Sequence, residues 1–404
     1  MTISFLHTAS LSFSGTSHAL EVLHNKGNLD RAPSVETCIQ WEMKIGLHKL
    51  TRPKVAADDW IWIMDHVVNK GVHKCFLVLG VRMSMLERRK DLTLTCEDLE
   101  PLGVVPMRVS NGKLVAEELE KVLAATGGRA PLAILKDQGS DLRCGGRDFC
   151  EEHPGVIDIH DVPHKIACIY KKILEQDVDW DRFTKECANF KKKVQLTQNA
   201  HLAPPNQRSK ARYQNIDVLV DWAIKWLPYC DMNKELSWLK KYANRLAEWS
   251  QLVDAGRVVR DVVRREGMSR DCYELISDHL LNIAILPKAE QFACNILDFL
   301  QEEGKKIPEG KRVLGSSEII ESVFGVHKNV SSRGPKPMGR LVLSMASRVA
   351  EEPSEELIAE AFEKIQEKTV DSWIAQAFSK GTTEHVDFAE EKWNHLSESA
   401  QGDS

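Results

Sequence analysis

Two short apolar runs divided by a polar turn constrain this chain most: Trp60-Ile-Trp-Ile-Met-Asp65 and Cys75-Phe-Leu-Val-Leu-Gly-Val81. Both have the length and the aromatic or branched composition of strands. Asn69-Lys70-Gly71 between them is turn material, so antiparallel neighbours are expected. Leu92–Leu94 is expected as a third strand, and Leu114–Ala125 as a helix stopped by Gly127-Gly128. Pro131–Lys136 and Val156–His160 complete the set as strands. Residues 54–165 therefore predict an α/β unit with a mixed five-stranded sheet.

From residue 166 the pattern changes. Through 310, Leu and Trp recur at helical intervals and strand alternation is absent, which predicts a large all-helical insertion. A helical return is expected over 311–370, with helices at Ser316–Lys328, Met338–Glu351 and, capped by Pro353-Ser354, Glu355–Lys368. Residues 371–404 read as an acidic tail. Ahead of the sheet, residues 1–53 hold two short helices, Thr16–Asn25 and Ser34–Ile45, the second capped by Ser34 and stopped by Gly46. Their spacing fits a helix-turn-helix DNA-binding region, with an ordinary helical hairpin as the alternative.

The net charge of −5 conceals segregation. Between Arg182 and Arg270 there are 18 Lys/Arg against 9 Asp/Glu, and from Ala346 onward 5 against 14. Local potential rather than the total governs binding to phosphates. No apolar run approaches the roughly 20 residues of a membrane span. The start, Met1-Thr-Ile-Ser-Phe-Leu, has no signal-peptide character. Ten scattered cysteines without a CxxC pair point to reduced thiols and a cytoplasmic protein, and Cys144 and Cys150 are spaced wrongly for zinc.

Candidate chemistry lies in three acidic residues: Asp65 and Asp137 at the ends of strand-like runs, and Glu321 in the helix after the insertion. Carboxylates on two strand ends and one helix suit a site for two Mg²⁺ ions roughly 3.5–4 Å apart, with Mn²⁺ as a substitute. Asp65 would bridge both ions, Asp137 hold one and Glu321 the other. Asp141 competes with Asp137, and Glu318 with Glu321. His66 reads as a residue leaving the strand. In the insertion, Lys191, Lys192, Lys193, Arg208, Lys210 and Arg212 interleave with aromatics and are candidate phosphate contacts. Trp222, Trp226, Trp238 and Trp249 are expected mainly in the core.

On these motifs the chain resembles the DDE transposases of bacterial insertion sequences. The carrying residues are Trp-Ile-Met-Asp65-His, Leu-Lys-Asp137-Gln-Gly-Ser-Asp and Ser-Ser-Glu-Ile-Ile-Glu321-Ser-Val-Phe-Gly-Val-His-Lys328. Asp161-Val-Pro-His164 is similar to a D-x-x-H motif beyond the second acidic residue in some of these enzymes; a strand end followed by a helix cap is the alternative. Leu314 and Ser317 stand where the hairpin-forming branch carries Tyr and Arg, so that branch is not implied. The resemblance implies an RNase H-like core split by the insertion and a DNA contact by Lys328. It also implies binding of double-stranded terminal inverted repeats, Mg²⁺-dependent cleavage, strand transfer into target DNA, and a homodimer or larger assembly in the bacterial cytoplasm, near the nucleoid. A nuclease or resolvase on the same core and a transposase-derived DNA-binding regulator are the alternatives.

Overall fold

In the computed structural model, which describes residues 2–3, 11–70, 73–107, 109–207, 212–320, 338–349 and 353–379, the strand-like runs join one sheet. Its strands are β1 (Trp60–Lys70), β2 (His73–Arg82), β3 (Glu100–Met107), β4 (Ala133–Lys136) and β5 (Ile157–His160), in the order β3-β2-β1-β4-β5. β1, β2 and β3 pair antiparallel, whereas β1–β4 and β4–β5 pair parallel. The third strand is Glu100–Met107, not the expected Leu92–Leu94. Leu92 and Leu94 belong to neither a helix nor a strand, and the Leu92 N–H donates to the Arg265 carbonyl at 2.8 Å. β3 contains Pro101, Gly103 and Pro106, which an edge strand tolerates because only one side of it must supply ladder donors.

Period-two alternation buries the sheet on both faces. Trp60, Trp62, Met64 and Ile134 join one core with Val115 and Leu119 of α3 (Gly112–Ala125) and Leu142 and Phe149 of α4 (Ser140–Glu152). Ile61, Ile63, Leu135 and Ile159 face the other way, into the core that continues through the helical insertion. That region begins with α5 (Val162–Leu174), α6 (Val178–Val194) and α7 (Ile216–Trp226), and continues through α8 (Ala243–Glu266), α9 (Cys272–Leu280) and α10 (Pro287–Lys305). One deviation from the all-helical expectation is a two-residue strand within it: β6 (Met268–Ser269) pairs antiparallel with β7 (Arg312–Val313) and ties the insertion to the returning chain. Trp249, fully buried, packs edge-on to Trp180 and donates its indole N–H to Asp177 at 3.0 Å. Trp222 and Trp238 stack at 6.4 Å, so these rings serve packing, as expected. Among the described residues no helix is long and apolar enough to cross a membrane.

The N-terminal helices are α1 (Phe13–Asn25) and α2 (Val35–Thr51). Ser34 caps α2 by accepting from the Thr37 N–H at 3.1 Å. Gly46 does not stop this helix, which runs five residues further. Its missing side chain instead admits α11 (Met338–Arg348): a methyl at Gly46 would lie 1.9 Å from the Leu343 carbonyl oxygen. The Lys49 ammonium, fully buried, donates to the Ser347 and Val349 carbonyls at 2.8 Å each, capping the end of α11. Buried Glu42 pairs with Arg348 at 2.8 Å. Two further helices follow, α12 (Glu355–Lys364), capped by Ser354, and α13 (Glu367–Ser379). The expected single helix through Lys368 is therefore two, because Ile365 adopts an extended conformation. α13 also carries helix past residue 371, where a tail was expected.

An alanine at Gly46 gains about 1 kcal/mol of helix propensity. Forcing its methyl against an unyielding backbone carbonyl costs more, so Gly46→Ala should lower stability by about 1–3 kcal/mol in urea denaturation.

Candidate functional site: an acidic cleft across three parallel strands

The ladder places Met64 opposite Lys136, and Lys136 opposite His160. The next residue on each strand is an aspartate: Asp65, Asp137 and Asp161. Neighbouring strands lie about 4.8 Å apart, and side chains two residues apart share a face. The three aspartates therefore form a row in phase with Ile63, Leu135 and Ile159, facing the insertion. β1 itself continues to Lys70, paired with β2, so Asp65 does not end its strand. It lies where β1 outruns β4.

Together these aspartates line a cleft of about 260 Å³, closed by His164 of α5, Gln214, Asn215 and Asp217 at the start of α7, Arg260 of α8, and Ser317 and Glu318. The carboxylates are held by backbone N–H groups. Asp65 Oδ1 accepts from His66 N at 2.6 Å, and Asp137 Oδ1 from Gly139 N at 2.8 Å. Asp161 uses both oxygens: Oδ2 accepts from His164 N at 2.8 Å, capping α5, and Oδ1 from Ser317 N at 2.6 Å. The Asp161 N–H donates to the Lys136 carbonyl at 2.7 Å, and the Val162 N–H to the Gly315 carbonyl at 2.9 Å. Asp161 thus fastens the segment entering the third acidic region to the ends of β4 and β5.

Electrostatics follow from this crowding. Burial and then the Asp137 charge push the Asp65 carboxyl up to about 7, while the His66 N–H pulls it down. Burial also raises Asp161, opposed by the N–H groups of Ser317 and His164. The His164 imidazole is raised to about 9, first by its hydrogen bond with Cys168 and then by Cys168, Asp137 and Asp161 through charge. The Cys168 thiol is lowered by the same hydrogen bond.

On the opposite phase, the adjacent residues do other work. His66 Nε2 lies 2.9 Å from Asp141 Oδ2 and 3.0 Å from Ser110 Oγ, so His66 and Asp141 hold each other outside the cleft. Of the two competitors Asp137 and Asp141, Asp137 lines it. Lys136 is fully buried, ion-paired with Asp158, and pushed down to about 7 by burial. His160 pairs with Glu303 at 3.0 Å.

Glu321 and Lys328 lie outside the described residues, as do Arg208 and Lys210; Glu318, the alternative to Glu321, lines the cleft. Arg212 opens the turn Arg212–Asn215, two residues before Gln214. The remaining cations of the candidate set sit in the last turn of α6. There Lys191 donates to the Pro204 carbonyl at 2.9 Å, Lys193 pairs with Glu235 at 2.6 Å, and Lys192 is exposed. Among the described residues the only three ligand atoms within 4.8 Å of one another are those of Glu120, Glu152 and His153, between α3 and the end of α4. Asp217 and Arg260 were not foreseen, and Asp161 only as part of a motif. The phase of Ile157-Asp-Ile-His-Asp161 against Leu135-Lys-Asp137 was the available signal for Asp161.

The unfolded Asp65 carboxyl titrates near about 4 and the folded one near 7. Between those values the native state keeps a proton that the unfolded state has lost, so stability falls as pH rises through the window and stays reduced above it. Asp65→Asn removes this penalty. Urea denaturation should find the variant more stable than wild type by on the order of 2–4 kcal/mol at pH 8, with the two close to equal near pH 4. A variant less stable at both values would contradict the account. No known protein family matches the chain, and no curated protein matches it either.

Proposed function

We propose that the chain is a Mg²⁺-dependent transposase of the DDE type, cutting DNA at the ends of a mobile element and joining those ends to target DNA. The observation carrying this reading is the side-by-side placement of Asp65 and Asp137 in a cleft roofed by the insertion. The sheet order, three antiparallel strands followed by two parallel ones, supports an RNase H-like core. In this reading α1 and α2 are the helix-turn-helix. Residues 42, 43 and 45–49 of α2 are buried, so in this reading its exposed first turn, from Ser34 to Glu36, is the part left for DNA.

The donors suit the ion. Oxygen ligands predominate, and a divalent cation would favour the charged form of the Asp65 carboxyl, which burial and then the Asp137 charge now disfavour. Asp65 and Asp137 would hold it, with Glu318 or Glu321 completing the set. Bound there, Mg²⁺ supplies Lewis acidity toward a phosphate oxygen and a more acidic water. In the first reaction a water oxygen forms a bond to phosphorus and the P–O3′ bond breaks. The departing oxygen takes up a proton, leaving a 3′-hydroxyl and a 5′-phosphate. In the second, that 3′-hydroxyl attacks a target phosphodiester, releases its proton and displaces a target 3′-oxygen. Asp161, with both oxygens engaged by backbone, positions the Ser317–Glu318 segment. Two DNA ends must meet, so at least a dimer on DNA is part of the proposal, in a bacterial cytoplasm.

Duplexes selected by the protein from a random-sequence pool provide substrates. With Mg²⁺ or Mn²⁺, wild type should nick them and transfer a pre-cleaved 3′ end into plasmid. Asp65→Ala and Asp137→Ala should each lower both rates by roughly 10³-fold or more. Nicking without transfer favours the nuclease, binding without nicking favours the regulator, and variants that cut like wild type sink the proposal.

A further inference from the structure

Arg260 reaches the acidic cleft from α8, deep in the helical insertion, and it is the only lysine or arginine among the described residues lining that cleft. Its guanidinium is about one-fifth exposed, with Nε 3.4 Å from Glu318 Oε1 and a terminal nitrogen 3.9 Å from Asp217 Oδ2. The Asp217 contact is beyond hydrogen-bonding distance, and the buried Nε has no hydrogen-bond partner. Arg257, one turn earlier, is different: it meets Asp221 at 2.5 Å and Asp254 at 3.2 Å. A buried guanidinium nitrogen that makes no hydrogen bond is costly in a finished structure, and its planar fork suits two oxygens of one phosphate.

We propose that Arg260 is a catalytic residue lent to the cleft by the insertion, its guanidinium binding the non-bridging oxygens of the reacting phosphate. Without DNA it rests loosely between Glu318 and Asp217. When a phosphate enters, those long contacts give way to a bidentate one, and the guanidinium offsets charge that builds on the phosphoryl oxygens. This inference rests on the transposase reading and adds to it a purpose for the insertion, which completes the chemistry as well as holding DNA.

The test uses the full chain and a selected duplex of about 30 base pairs, with Arg260→Ala, Arg260→Lys, Arg257→Ala and Asp65→Asn. In EDTA, Arg260→Ala should lessen the slope of log affinity against log salt by about one, and Arg260→Lys should keep it. With Mn²⁺, Arg260→Ala should lose about 10²-fold in cleavage rate at saturating DNA, and added guanidinium should restore part of it. Arg260→Lys should remain slow despite its charge, and Arg257→Ala should cut like wild type. Guanidinium rescue separates a chemical role from a folding defect. If Asp65→Asn is inactive while Arg260→Ala cuts at the wild-type rate, or loses activity that guanidinium does not restore, the assignment of Arg260 fails. A wild type that does not cut, or an Asp65→Asn that does, overturns the transposase reading itself.

Discussion

Parallel pairing of β1, β4 and β5 in one register is the constraint on which the rest of this structure depends. Because side chains alternate with a period of two, a one-residue slip in any of the three strands would turn its aspartate to the other face. The apolar residues fix the register. Ile61 and Ile63, Leu135, and Ile157 and Ile159 enter the core shared with the insertion, whereas Trp60, Trp62 and Ile134 enter the one beneath α3 and α4. Burial of hydrocarbon on both faces thus holds three carboxyl groups in one row, where burial and the Asp137 charge favour the protonated form of Asp65.

Much of this was legible because strand pattern and hairpin chemistry are local. The runs ending at Asp65 and Asp137 announce their own phase, and β1 and β2 pair antiparallel as expected, although Asn69 and Lys70, read as turn material, belong to β1. β3 was not legible: Pro101, Gly103 and Pro106 argue against a strand wherever the chain is read without knowing which strand lies at the edge. Leu92–Leu94 looked better by composition, yet its Leu92 N–H is satisfied by Arg265, which lies 173 positions along. Gly46 misled for a similar reason. A glycine near a helix end reads as a stop, and only the arrival of Leu343 shows that the need is for closeness.

The cleft divides in the same way. Asp137 follows from a strand end, and Asp65 from the apolar run before it, although β1 continues past it to Lys70. Asp161 follows from the same phase once β5 is known to lie beside β4. Arg260 and Asp217 are set by the packing of α7 and α8 over the sheet, which no short motif encodes. The basic character of residues 182–270 also changes meaning in three dimensions. Lys193, Lys240, Lys241, Arg245 and Arg257 each face a carboxylate. Surface pairs of this kind contribute little to stability. They do lower the positive potential that the raw count suggests.

The Lys49 ammonium reaches the carbonyls of Ser347 and Val349 across separations of 298 and 300 residues. A ribosome makes α2 early and α11, which covers it, about 300 residues later. Until α11 is synthesised, the Gly46 face of α2 and a buried lysine have no native cover, and closing that loop is among the most entropically distant events in folding. The chain is therefore expected to complete its fold only after its final third has emerged. A product broken off before Met338 would carry an exposed apolar helix face, suited to recognition by a chaperone or a protease.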